Sequence, residues 1–387
     1  MQMLSNRIKA VQTPIIPTVG DLIAANPGTI SLGQGVVYYD PPDSVFSAPA
    51  KFNSDPENFR YQFVEGIPEL RASIRHKLIG DNKIQNRLNE IVVTAGSNMG
   101  FLNAILAICD PDDEVILIRP WYFNHEMAIR MVNCIPVSVD SNEDYQPDLT
   151  ALEEAITNRT RAIVTVSPNN PTGVVYTQEN LTAVNNLCRQ RGIFHISDEA
   201  YEYFCHDGAA HFSAASLDDA ASHTISLFSL SKSYSLASWR MGYMVVPEQM
   251  FLAIRKIQDT NVICPPVISQ YAALECLKAG SSYCAPMIEG LGSVRKYFLG
   301  GLKTISSIDH CSPTGAFYVF FRINDSNLKD MQVVQKLIQD YGVATVPGQA
   351  FGMENGCFIR ASYGALEPTV AKQGIDRLIE GLTALIG

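Results

Sequence analysis

RAIVTVSPNNPTGVVYTQENLTAVNNLCRQRGIFHISD, residues 161–198, decides the fold class. Two short β-branched runs, RAIVTV and IFHISD, flank a stretch with helical periodicity over 178–191. Neither strand alternates polar with apolar residues, so both faces are covered, and a helix long enough for a crossover separates them. That is the pattern of a parallel sheet sandwiched between helices. Working outward, the same alternation precedes this unit: EIVVTAG, a helix over 98–109, EVILIR, a helix over 122–132, and IPVSV. It continues after it with TISLFS and RMGYMVV.

Beyond Pro265 and Pro266 the pattern changes to longer helices, at 267–278 and 283–304. GAFYVFF, a helix near 331–341, GCFIRASY and a last helix follow. A chain of 387 residues exceeds what one core usually holds. The expected organisation is an α/β protein with a large, mainly parallel-sheet domain at 46–280 and a smaller α+β domain at 281–387. Residues 1–45 form an arm that belongs in part to the small domain. Pro14, Pro17 and Pro27 predict that this arm is extended, with little regular structure before SLGQG at 31–35.

The net charge of −10 disfavours nucleic acid and anionic membrane surfaces as partners, since both select basic patches. No run of about 18 apolar residues appears, and MQMLSNRIKAVQTP lacks the apolar core of a signal peptide, so a cytoplasmic protein is expected. Nine cysteines stand singly, without a CxxC pair or zinc-like spacing to histidine. Buried thiols in a reducing compartment are expected, and no metal.

Five segments carry candidate chemistry. In SLFSLSKSYSLASWRMGY (226–243), Lys232 follows a predicted strand with Ser229 and Ser231 before it and Arg240 after it. A lysine becomes a nucleophile when desolvation or nearby cations favour its free amine, and hydroxyls beside an arginine suit a phosphate. In IFHISDEAYEYF, Asp198 ends a buried strand, the end at which parallel sheets bind ligands, and Tyr201 follows. A helix-capping acid reads equally well there. VSPNNPTGVVY places Asn170 in a turn 28 residues before Asp198. In IVVTAGSNMGFLNAIL a strand passes through small residues into a helix, so the amides of Gly96, Ser97 and Asn98 can bind phosphate at the helix N-terminus. The spacing matches neither GxxxxGKS nor GxGxxG, which makes ATP and NAD poorer ligands. Arg360 in GCFIRASYG, on the second domain, can clamp a carboxylate through two parallel hydrogen bonds or serve a structural role.

Taken together, in this order and spacing, these segments resemble the class I/II aminotransferases, pyridoxal-phosphate enzymes of fold type I. The resemblance runs from SLGQG to the last helix. It implies that Lys232 carries pyridoxal 5′-phosphate as a Schiff base and shuttles the proton. It assigns the phosphate to Arg240, Ser229, Gly96, Ser97 and Asn98, the ring nitrogen to Asp198, and the phenolic oxygen to Asn170 and Tyr201. Tyr122 in RPWYFNHEM would stack on the ring, while Arg360, Asn170 and the Gly35 backbone would meet the substrate, Arg360 at its carboxylate. Tyr61 in RYQFVEGIPELR would reach the phosphate in a neighbouring subunit, which implies a homodimer with shared active sites.

The activity so implied is ping-pong transfer of an amino group from an L-amino acid to a 2-oxo acid. A carbon–sulfur β-lyase or a cyclopropane-forming synthase on the same scaffold is the alternative, and a pyridoxal-phosphate-binding regulator the remote one. No second arginine for a side-chain carboxylate can be placed. The apolar Ile15, Ile16 and Pro17 lean toward a neutral or aromatic donor.

Overall fold

The computed structural model describes residues 4–85, 90–324 and 326–386. Its strands are β1 (Ile30–Ser31), β2 (Ile91–Thr94), β3 (Glu114–Arg119), β4 (Ile135–Asp140), β5 (Thr160–Val166), β6 (Phe194–Asp198), β7 (Thr224–Ser229) and β8 (Gly242–Val245). They are followed by β9 (Ile308–His310), β10 (Tyr318–Ile323), β11 (Val343–Ala344), β12 (Val346–Pro347) and β13 (Cys357–Ser362).

Seven strands form one sheet in the order β2-β8-β7-β6-β5-β3-β4. Only β8 runs antiparallel to its neighbours; the other pairings are parallel. The continuous apolar runs are buried on both faces, which is why they do not alternate: β2 and β8 are buried at every position. The crossover helix Gln178–Arg191 begins at Thr177, whose side chain accepts from the Asn180 amide. It ends at Gly192 in the left-handed region, the two expected end signals of a helix. Parallel strands all end on the same edge of the sheet, so the loops after β3, β5, β6 and β7 are gathered there.

A second, antiparallel sheet, β12-β13-β10-β9, packs against helices Ser281–Leu302, Asp330–Tyr341 and Pro368–Ile386. β1 pairs in parallel with β11, which fastens the N-terminal segment to this part of the molecule.

The expectation of an extended arm is corrected. Ile15–Ala25 is an α-helix, and Asn6–Ala10 a shorter one. Pro14 stands at the N-cap and Pro17 in the first turn, where the missing N–H would have had no intrahelical partner. Ile15 and Val19, one turn apart, are buried and give the helix its inner face.

A buried ion pair braces the segment that follows β6. Lys77 ends helix Pro68–Lys77; its ammonium pairs with Glu202, donates to Asn82 Oδ1 at 2.7 Å and lies 4.6 Å from the Phe228 ring centre. Asn82 Nδ2 donates in turn to Glu202 Oε2 and Ser213 Oγ, each at 2.8 Å. Removing only the cation strands a buried carboxylate. Lys77→Met is therefore expected to lower the unfolding free energy by about 3–5 kcal/mol in urea titration. Lys77→Met/Glu202→Leu should recover most of it; an equal loss in both would assign the effect to packing instead.

Candidate active site

The edge of the seven-stranded sheet where β2 and β7 end and β8 begins carries a cluster of groups suited to an anion. β2 leads through Gly96 into helix Ser97–Ile108, whose first amides face the cleft. Gly96 has φ +83°, and a Cβ there would collide with the Arg240 guanidinium, so glycine is required for both conformation and space. Arg240 is itself in the left-handed region at φ +54°, and its Nη1 donates to the Ala237 carbonyl at 2.8 Å. Ser229 and Ser231 line the same cleft, with the Ser231 amide donating to Ser229 Oγ at 3.2 Å. A cation, free helix amides and hydroxyls in one place match a phosphate dianion.

Lys232 lies farther into the cleft, and its ammonium donates to the Gly35 carbonyl. Burial and the positive charges of Arg360 and Arg240 lower its pKa to about 8, against a weaker upward pull from Asp198. The single proton of Tyr39 Oη is shared between the Lys232 and Ser233 carbonyls, 3.3 and 3.2 Å away, bracing the loop. Asp198 is the last residue of β6; its Oδ1 accepts from the Ala200 amide at 3.1 Å and its Oδ2 faces His125 Nε2 at 3.0 Å. No helix begins after Asp198, which removes its helix-capping reading. His125 is buried and stacked on Phe101 with ring centres 4.0 Å apart.

Across the cleft, Arg360 projects from β13 and is buried. Its Nη1 donates to Asn170 Oδ1 at 3.0 Å and its Nη2 to the Gly33 carbonyl at 2.6 Å, while Nε is buried with no protein partner. The guanidinium lies 4.6 Å from the Tyr318 ring centre and 5.1 Å from that of Phe351. Tyr201 and Tyr318 share a 2.7 Å hydrogen bond between their hydroxyls. The cavity enclosed by these groups has a volume of about 350 Å³.

Ser97, Asn98, Tyr122, Asn170, Asp198, Tyr201, Ser229, Lys232, Arg240, Arg360 and Gly35 all line this one cavity, and Gly96 abuts it through Arg240. Tyr61 does not line it: its side chain is 80% exposed on the protomer surface. Two residues that sequence reasoning missed belong to the cluster, His125 behind Asp198 and Tyr318 between Tyr201 and Arg360. His125 falls in the quoted RPWYFNHEM, three residues after Tyr122, and that proximity was the one available signal.

The family model described as aminotransferase class I and II matches residues 27–378. The chain belongs to that family. The aminotransferase is 36% identical to a probable aspartate/prephenate aminotransferase of Aquifex aeolicus, over 94% of this chain and 91% of that protein. It is 30% identical to the aromatic aminotransferase ISS1 of Arabidopsis thaliana, over 99% and 97%. Among solved structures it superposes on Thermus thermophilus aspartate aminotransferase with maleate at a TM-score of 0.90, with 29% identity over 98% of this chain and 100% of that one. The aminotransferase has the fold-type-I architecture and uses pyridoxal phosphate.

The residues present fit that cofactor. The phosphate-binding groups lie at one end of the cavity, a lysine with a depressed pKa beyond them, and the partnerless Arg360 Nε marks a place for an anionic ligand atom. Among the described residues no cluster suited to a metal ion occurs, and no helix is long and apolar enough to cross a membrane.

Only the free amine of Lys232 can attack the cofactor's carbonyl carbon. Capture of pyridoxal phosphate by the cofactor-free protein should therefore accelerate as pH rises, with a midpoint near about 8. Stopped-flow absorbance over pH 6.5–10 measures this; a midpoint near the ordinary lysine value of about 10.4 would mean that the cleft does not depress the amine.

Proposed function

We propose that the aminotransferase moves the amino group of a neutral or aromatic L-amino acid onto a 2-oxo acid in a ping-pong cycle, with Lys232 as both cofactor anchor and proton carrier. The observation that carries this reading is the meeting of Lys232, Asp198 and Arg360 in one cavity. When bound, pyridoxal phosphate supplies the carbonyl carbon that takes up the amino group and a ring that accepts the electrons released at Cα.

Arg240, Ser229 and the amides of Gly96, Ser97 and Asn98 hold the phosphate. Asp198, fixed by His125 and the Ala200 amide, keeps a proton on the ring nitrogen. Asn170 and Tyr201 hydrogen-bond the phenolic oxygen, and Tyr122 stacks on the ring. Arg360 holds the substrate α-carboxylate at the end of the cavity where Gly35 contributes its backbone. Displaced from the cofactor by substrate, Lys232 would be a free amine able to take the Cα proton and return it to the cofactor's former carbonyl carbon, on the far side of the amino nitrogen. Release of a 2-oxo acid ends the first half, and a second oxo acid reverses it.

The three cations lining the cavity, Lys232, Arg240 and Arg360, all have roles in this scheme. Among the described residues of the protomer none remains for a side-chain carboxylate, and Pro14, Ile15, Ile16, Pro17 and Val36 offer apolar wall. A neutral side chain suits that lining, in keeping with the aromatic aminotransferase among the relatives. We also propose the division into a large domain at 46–280 and a small one at 281–387 that shares the arm 1–45. Its support is the common core of residues 15–39 with the C-terminal helices. A cytoplasmic homodimer completes the reading: Phe46, Phe59, Tyr61 and Phe63 are exposed aromatic side chains within one short segment, an apolar surface for a second copy.

Three measurements test these statements. Wild-type protein with pyridoxal phosphate should show a long-wavelength band that an amino acid alone converts to the pyridoxamine form, and Lys232→Ala should lack the covalent band; pyruvate without pyridoxamine phosphate would indicate elimination chemistry instead. Across a donor panel, kcat/KM for aromatic and apolar amino acids should exceed that for aspartate by at least about tenfold, a contrast of the size that apolar contacts can supply; dominance of aspartate would overturn the specificity. Sedimentation equilibrium should give twice the 42.5 kDa chain mass, and a monomer would remove the role of Tyr61.

A further inference from the structure

Tyr318 is the first residue of β10, fully buried, and nothing in the proposed cycle uses it. Its hydroxyl meets the Tyr201 hydroxyl at 2.7 Å, and its ring lies under the Arg360 guanidinium. It also borders Gly35, where an added Cβ would come within 2.8 Å of the Tyr318 hydroxyl and 3.9 Å of Lys232 Nζ. A phenol so placed touches both binding groups, one for the cofactor and one for the substrate carboxylate.

We propose that Tyr318 is a positioning residue for transamination: its hydroxyl donates to Tyr201 Oη and so turns the Tyr201 proton toward the cofactor's phenolic oxygen. This rests on the reading that Tyr201 serves that oxygen. A hydroxyl has one proton, and Tyr201 cannot give it to Tyr318 and to a ligand at once. With Tyr318 as donor, the Tyr201 oxygen is satisfied from within the protein and its proton is left for the ligand. Hydrogen bonds in a chain also polarise one another, so Tyr201 becomes the stronger donor.

Arg360 from β13 fixes the Tyr318 ring on one face. The other charged or titratable groups near the phenol pair are Lys232 after β7, 5.9 Å from the Tyr201 ring centre, Tyr122 before the helix Phe123–Met131, and Asp198 on β6. Burial raises the pKa of both phenols, Tyr318 to about 12, so both keep their protons through the working range of pH.

Stronger donation to the phenolic oxygen favours its ionised form and lowers the pH at which the lysine–cofactor chromophore titrates. The test is a spectrophotometric pH titration of the holoenzyme without substrate. Tyr318→Phe keeps the ring under Arg360 and removes only the hydroxyl; its midpoint is expected to rise by about half to one pH unit. Tyr201→Phe should raise the midpoint as well, and Tyr201→Phe/Tyr318→Phe should add nothing beyond Tyr201→Phe, since Tyr318 acts through Tyr201. Binding of the unreactive carboxylate 3-phenylpropionate should be unchanged in Tyr318→Phe, because the Arg360 contact is with the ring. An unshifted or lowered midpoint in Tyr318→Phe would overturn the proposal, as would full additivity in the double variant. Absence of any chromophore in the wild-type holoenzyme would remove the cofactor roles beneath it, a failure distinct from an unshifted midpoint.

Discussion

Among the described residues, three cations share one cavity and only one carboxylate, Asp198, lines it with them. Lys232, Arg240 and Arg360 repel one another there, and burial raises the cost because less water screens them. The protein accommodates this in different ways. Lys232 has its pKa lowered to about 8, so a fraction of it gives up its charge near neutral pH. Arg360 stays charged, with carbonyl and amide oxygens on two of its nitrogens and aromatic faces beside it. Arg240, more exposed, leans on backbone carbonyls. The phosphate and carboxylate of the proposed ligands would relieve the remaining imbalance.

The groups of the cavity are carried by two sheets. Asp198 ends β6, and Lys232 and Asn170 stand on loops at the same C-terminal edge of the parallel sheet, where strand direction collects them. Arg360 stands on β13, in register with Phe320 of β10 and Val346 of β12, so its base is set by an antiparallel ladder on both sides. Between the two runs the segment 31–35: Gly33 accepts from Arg360 and Gly35 accepts from Lys232. One short stretch of backbone thus receives the charged head of each sheet. β1, immediately before it, is fastened to β11.

The sequence made the parallel sheet legible because strands buried on both faces leave no alternation, and the crossover helices carry their own end signals. Lys232, Asp198 and Asn170 were legible for the same reason, since each follows a recognisable strand. Direction was not: RMGYMVV reads as apolar whichever way it runs, and only pairing with β2 and β7 shows it antiparallel. The helix Ile15–Ala25 was hidden because prolines that break a helix interior are harmless in its first turn. Tyr318 sits in GAFYVFF, where a tyrosine among apolar residues is indistinguishable from core until the partner of its hydroxyl is seen.

The same cleft sits in a chain of net charge −10. At physiological salt that net charge is screened beyond about 8 Å, so a diffusing oxo acid is not held off at long range. At the mouth it meets fixed cations with low-dielectric walls, and the field there is set by Arg240, Lys232 and Arg360 rather than by the surface average. Selection of anions is therefore local. Every ligand in the proposed cycle carries a carboxylate or a phosphate, and each ends on an arginine positioned by backbone carbonyls. An acidic exterior costs the cleft little and leaves the molecule unattractive to polyanions that would otherwise occupy it.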